Sequence, residues 1–142
     1  MPWLPKRNVV VPVDFSPESI HAIDVGLQVV AQPADLHVVH VVIDITPLEA
    51  GEVWGVVDPQ TRIEQMAKIL RERLADKKYA GISQTVVMGE PAHAIAQFAQ
   101  DKGADLIVIP SHGRTGLTRL LIGSVAERVV RLAHCPVLVL RK

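Results

Sequence analysis

Aromatic residues make up only 4% of the 142 positions, and one cysteine, Cys135, stands in the whole chain. A single cysteine excludes an internal disulfide and fits a reducing compartment. Net charge is missing as well. Fifteen acidic residues balance fifteen basic ones, so no global field draws nucleic acid or an anionic membrane. No apolar stretch has membrane-spanning length. The run Val9–Val13 contains Pro12 and stops at Asp14, too short and too broken for a signal peptide. Repeats, low-complexity segments and an internal domain boundary are also lacking. The expectation is one soluble cytoplasmic domain, 1–142, that contacts neither nucleic acid nor membrane.

Apolar residues reach 49%, nearly all Val, Ile, Leu and Ala, which suits a buried parallel sheet covered by helices. Five short apolar runs alternate with four longer helical segments. "NVVVPVD" leads into "SPES", where Ser16 is placed to cap a helix and Pro17 to occupy its first position. Ile20, Ile23, Leu27 and Val30 then recur at helical spacing until "QPAD" closes the segment. "LHVVHVVID" is the second strand, and 44–58 reads as a surface loop. A charged helix is expected from about Pro59 to Tyr79, with Ile63, Met66, Ile69, Leu70 and Leu74 on one stripe. "SQTVVM" is a strand, followed by a helix with Pro91 near its start and Gly103 just past its end. "ADLIVIP", "SVAERVVRLAH" and "CPVLVLRK" complete the alternation. This order argues an α/β fold with a parallel sheet, right-handed crossovers and helices on both faces. Ligands in such folds bind beyond the carboxyl ends of the strands, where strand order reverses. Spacing alone does not locate the reversal.

The stretch "IPSHGRTGLTRLLIGS", residues 109 to 124, has two readings. Gly113, Gly116, Gly123 and Ser124 could cradle a phosphate at a helix N-terminus. It is not a Walker A loop, because no lysine follows Gly123. Alternatively, Ser124 and Glu127 have the spacing of a capping box and the loop merely joins strand to helix. Asp14 is similarly double. It can form the turn before the helix, or accept a ribose hydroxyl at a strand's end.

"VPVDFSPES", "LHVVHV", "MGEP" and "PSHGRTGLTRLLIGSVAERVVRLAHCPVLVL" together resemble the universal stress protein family over nearly the whole chain. The nucleotide-binding branch carries G-x-x-G, nine residues, then G-[ST]. Gly113, Gly123 and Ser124 match, and residues 114 to 122 supply the nine, but the first glycine falls on Pro110. Proline lacks an N–H, fixes φ and adds ring volume. The resemblance implies a Rossmann-like five-stranded parallel sheet of order 3-2-1-4-5, with the reversal between the first and fourth strands. It further implies that Pro12, Val13 and Asp14 border an adenosine and that the Val41 backbone meets the adenine edge. Pro110 would flank the same cleft, and Gly113, Gly123, Ser124 and Val125 would hold the phosphates. The implied cofactor is ATP, with ADP or AMP as alternatives and a magnesium ion able to accompany ATP. The family also implies a homodimer through the last strand, where "PVLVL" would lie at a sheet edge.

Other candidates carry less. His37 and His40 are three apart on a strand and point to opposite faces, so they cannot chelate one metal together. His112 lies near the expected cleft without an acidic orienter in sequence and reads as a loop histidine. Cys135, before Pro136, reads as a small packed residue. Arg114 and Arg119 read as solvated loop arginines. No nucleophile–base pair stands out, and any ATP hydrolysis would be slow and incidental. The leading expectation is an adenine-nucleotide sensor or switch in stress response. Its rival is a dimeric interaction protein of the same fold that binds no nucleotide, and a third is a hydrolase using His112 or Asp14 to position water.

Overall fold

The central β-branched runs are buried on both sides, because the helical segments between them fold back over the two faces of the sheet. The computed structural model describes residues 2–44, 58–112 and 122–141. Its strands are β1 (Val9–Pro12), β2 (Leu36–Ile43), β3 (Ser83–Gly89), β4 (Leu106–Pro110) and β5 (Val137–Leu140). Its helices are α1 (Pro17–Val29), α2 (Pro59–Arg73), α3 (Pro91–Asp101) and α4 (Ser124–Leu132). All strand pairs are parallel, in the order β3-β2-β1-β4-β5. The family-implied order is therefore the observed one, with the reversal between β1 and β4.

Alternate strand residues feed two cores, as the two-residue period of a strand requires. Val9, Val11, Leu36, Val38, Leu106 and Val108 pack with Ala22 and Ile23 of α1 and Leu70 of α2. Val10, Val39, Ile107 and Ile109 pack on the other face with Ile95 and Phe98 of α3 and Val129 of α4. Two covered faces explain why the strands read as continuous apolar runs.

Three helices begin with a side-chain cap followed by proline. The Ser16 hydroxyl accepts from the Ser19 N–H at 3.1 Å, Asp58 accepts from the Thr61 N–H, and Glu90 accepts from Ala92 and His93. Pro17, Pro59 and Pro91 then take positions where a missing N–H costs nothing. Gly103, at φ 63°, turns the chain out of α3 in the left-handed conformation expected just past a helix.

Helix α2 is shorter than its pattern suggests. It ends at Arg73, and a separate short 3-10 turn occupies Lys77–Tyr79. Asp76 causes the break: its carboxylate accepts from the Lys78 N–H at 3.0 Å, capping a new turn instead of continuing the old one. Ile69, expected on the buried stripe, is 40% exposed, and Leu70 alone within α2 is fully buried. The 44–58 loop lies, from 45 to 57, outside the described residues.

The sheet splits at its reversal for a covalent reason. β1 pairs with β2 as far as Pro12 and β4 pairs with β5 as far as Pro110, but β1 and β4 pair only at Val9–Leu106 and Val10–Ile107. Successive residues of a parallel strand bond to opposite neighbours. The Val13 N–H donates to the Val39 carbonyl and the Ser111 N–H to the Leu140 carbonyl, both at 2.8 Å. Pro12 and Pro110 therefore each face the gap between β1 and β4. The next rungs across that gap would need their N–H groups, and proline has none.

Because Leu70 and the following Leu74 anchor α2 to the sheet, Leu70→Ala should destabilise the protein by about 2–5 kcal/mol, the usual cost of emptying a packed leucine site. A urea titration checks this: the midpoint should fall while the slope stays constant. An unchanged midpoint would mean that α2 is held by other contacts.

Candidate functional site

Beyond the split, a cleft of about 640 Å³ opens at the carboxyl ends of β1, β2 and β4, a volume ordinary for small-molecule sites. Pro12, Val13, Asp14, Val41, Pro110, Gly123, Ser124 and Val125 all line it. Gly113 lies outside the described residues. The remaining expected positions, scattered from 12 to 125 in the chain, thus share one cavity.

The floor beside β1 is a constrained turn. The Asp14 carboxylate accepts from the Ser16 N–H at 3.0 Å, while the Asp14 N–H donates to the Ser19 hydroxyl at 3.3 Å. The turn-forming role of Asp14 is therefore present, and it does not remove Asp14 from the cleft wall. Phe15 has φ 66°, a left-handed conformation that costs a bulky residue roughly 1–3 kcal/mol. Neighbours hold it there. Its ring lies 4.6 Å from that of His40, whose Nδ1 donates to the Val13 carbonyl at 2.7 Å. The Arg73 guanidinium donates to the Phe15 carbonyl at 3.0 Å.

The opposite wall is the start of α4, and here the structure departs from expectation. Gly123, not Ser124, is the N-cap, and no side chain caps the helix. The capping box between Ser124 and Glu127 does not form, because Ser124 already lies inside the first turn. Glu127 instead receives Arg131 at 2.8 Å, one turn along. The glycine at 123 is required by backbone contact rather than by ligand access. A Cβ there would stand 2.8 Å from the Ser111 carbonyl oxygen, and the Gly123 N–H donates to that same oxygen. That donor is consequently engaged. The N–H groups of Ser124, Val125 and Ala126, which a helix leaves unpaired at its start, have no acceptor among the described residues and border the cleft.

Helix α4 is tied to α3 through Glu90. Its carboxylate caps α3, pairs with Arg128 of α4 and contacts His93 Nδ1 at 2.8 Å. Burial pushes the Glu90 carboxyl up, but the hydrogen bonds from His93, Ala92 and Arg128 outweigh it and bring it down to about 2.

Several residues line the cleft that sequence reasoning did not place there: His40, Arg62, Gln65, Met66, Ile95 and Ser111. Met66 was legible only as a helix-stripe residue, and Arg62 carried no motif at all. Arg62 reaches over to donate to the Ile43 carbonyl at 3.1 Å, bridging α2 to the end of β2. His112 does lie in the loop after β4, where it is 5% exposed and outside the lining of this cleft. His37 and His40 do point to opposite faces, the first bonded to Asn8 and the second to Val13. Among the described residues no group of three or more His, Cys, Asp or Glu could hold a metal. Burial, with Asp105 nearby, pushes the half-buried Cys135 thiol up, away from reactivity. No helix among the described residues is long and apolar enough to cross a membrane.

Known proteins share this architecture. The model of the universal stress protein family matches residues 6–141. Universal stress protein MJ0531 of Methanocaldococcus jannaschii is 36% identical over 141 residues, covering 96% of this chain and 82% of that protein. Universal stress protein YxiE of Bacillus subtilis is 32% identical, covering 95% of this chain and 99% of its own. Among solved structures, MJ0577 of Methanocaldococcus jannaschii, whose structure served to assign its biochemical function, superimposes with a TM-score of 0.78 at 27% identity over 98% of each chain. A universal stress protein solved in complex with cAMP superimposes with a TM-score of 0.65 at 24% identity, covering 96% of this chain and 98% of its own.

The Glu90 link predicts an acid-sensitive contribution to stability. The folded carboxyl sits near 2, while an unfolded glutamate titrates near about 4.3. Its contribution is complete above the unfolded value and disappears as pH falls through the folded one. The side chain is 43% exposed, so solvent screens much of it. Urea midpoints of the natural protein and Glu90→Gln should differ at neutral pH and converge as pH approaches the folded value. A pH-independent difference would assign the effect to packing.

Proposed function

Since the chain belongs to the universal stress protein family, we propose that its cleft binds an adenine nucleotide, ATP first, with ADP or AMP as alternatives, and acts as a sensor or switch in stress response. The observation that carries this reading is the meeting of Asp14 with the unpaired first turn of α4 across one cleft at the strand reversal. A carboxylate there suits a ribose hydroxyl, and the positive end of a helix suits phosphate. In this reading Pro12, Val13 and Val41 pack around the adenosine. The phosphates lie against Ser124 and Val125, and Gly113 completes the motif. Gly123 supports them by letting α4 start close to β4 rather than by donating an N–H. The neighbour solved with cAMP supports the fold's capacity for a nucleotide. Because no protein cage for a metal gathers among the described residues, a magnesium ion would arrive on the phosphates, as is common for that ion.

One observation favours the rival reading of a dimeric interaction protein. Pro110 has no N–H and that of Gly123 is engaged by Ser111, so two donors of the implied phosphate loop are unavailable. Calorimetric titration with ATP, ADP and AMP separates the readings. Saturable binding is expected, and no binding by any of the three would leave the interaction protein. Asp14→Asn preserves an acceptor for the Ser16 N–H while removing the charge. It should weaken ATP by about 1 kcal/mol, the difference between a charged and a neutral hydrogen bond. Equal affinity would restrict Asp14 to turn formation.

The same proposal includes a homodimer through β5. This strand is at the sheet edge, partly exposed along its whole length, and carries only Val and Leu. Such an edge invites pairing with a second copy. Light scattering at micromolar concentration should give twice the chain mass of 15.5 kDa. A single chain mass would remove the dimer.

A further inference from the structure

A second hollow, of about 340 Å³, lies on the other side of the end of β4, against the start of α1. It shares Pro110 and Ser111 with the cleft but has its own lining, including Glu18, His21, His112 and Arg141. His112 is 5% exposed, and its Nδ1 is bonded to the Ser111 hydroxyl at 3.1 Å. Its buried Nε2 has no hydrogen-bond partner among the described residues. Leaving a buried polar atom unpaired is costly, and such groups mark places where a partner belongs.

We propose that this hollow is a binding site for a small oxyanion, a phosphate or carboxylate group, received by His112 Nε2 with Arg141 and His21 around it. An oxyanion at Nε2 would hold the ring proton there, leaving Nδ1 to accept from the Ser111 hydroxyl 3.1 Å away. Arg141 is exposed at the rim and supplies a permanent positive charge with forked donors. The start of α1, a helix of 13 residues, directs its positive end to the same place. Glu18 opposes an anion but is already engaged in an interaction of its own. It borders the hollow beside His21, so the site favours one oxyanion over a run of charges. The hollow is larger than a bare phosphate and leaves room for a small organic body against Pro17 and Leu140. Occupancy does not depend on a nucleotide in the cleft, although Ser111 touches both spaces.

Histidine side-chain NMR of the full chain tests this without any nucleotide. Inorganic phosphate and acetate are titrated in separate arms at constant ionic strength. The His112 ring signal is assigned through its own backbone and checked by its loss in His112→Asn. A saturable shift of that signal, with His93 and His134 not following it, is expected in at least one arm. The responding arm tells a tetrahedral oxyanion from a carboxylate. Arg141→Gln, at an exposed position that should not disturb folding, should weaken the response by about tenfold, the worth of one charged hydrogen bond. No shift at His112, a drift shared by every histidine without saturation, or equal affinity in Arg141→Gln would each overturn the proposal.

Discussion

Parallel strands stay paired only while each can present an N–H to its neighbour, and the central gap of this sheet opens where that condition fails on both sides at once. Pro12 and Pro110 end β1 and β4, and each faces the other strand. An unpaired N–H at the base of a cleft would need water or a ligand to satisfy it. With proline at both positions no such donor is created. The split that makes the cleft therefore leaves no backbone donor unpaired on its own account, although the facing carbonyls still lose their partners. Pro110 is a departure from the family's glycine motif and, at the same time, a stable way to build the same opening.

That substitution changes which groups can meet a ligand. The implied loop places glycines so that several backbone N–H groups converge on a phosphate. Here one of those positions has no N–H, and another, Gly123, is bonded to the Ser111 carbonyl. The donors that remain on the described wall belong to the first turn of α4, where helix geometry itself leaves them unpaired. The Glu90–Arg128 contact fixes α4 against α3 and so sets where those donors stand. On the facing wall, strain at Phe15 is held in place by His40 and Arg73, which keeps Asp14 at the cleft.

Much of this was legible in the chain because local rules and the global fold agree. Ser16 with Pro17, Pro91 and Gly103 mark helix ends by mechanisms that act within a few residues. The stripe on α2 was less informative, since Ile69 and Leu70 are adjacent and only packing against the sheet chose Leu70. The sequence pattern carries the helix through Asp76, because the power of Asp76 to end α2 early depends on the turn it forms next. The Ser124–Glu127 spacing failed for a related reason. A capping box needs Ser124 outside the helix, and the tertiary contact of Gly123 with Ser111 starts the helix one residue sooner.

The sequence by itself determined the alternation of strand and helix, the two-faced burial of the strands and the starts of α1, α2 and α3, because hydrophobic period, proline and capping side chains act locally. Its resemblance to a known family carried the strand order, which no local rule could supply. Only the tertiary structure decided that Pro12 and Pro110 oppose each other, that the Gly123 N–H is already taken, and that His112 is buried beside a second hollow. Those facts depend on which neighbours a backbone N–H or a ring nitrogen meets after residues a hundred positions apart come together. Such partners are set by the direction of each group in space, and a linear pattern does not contain it.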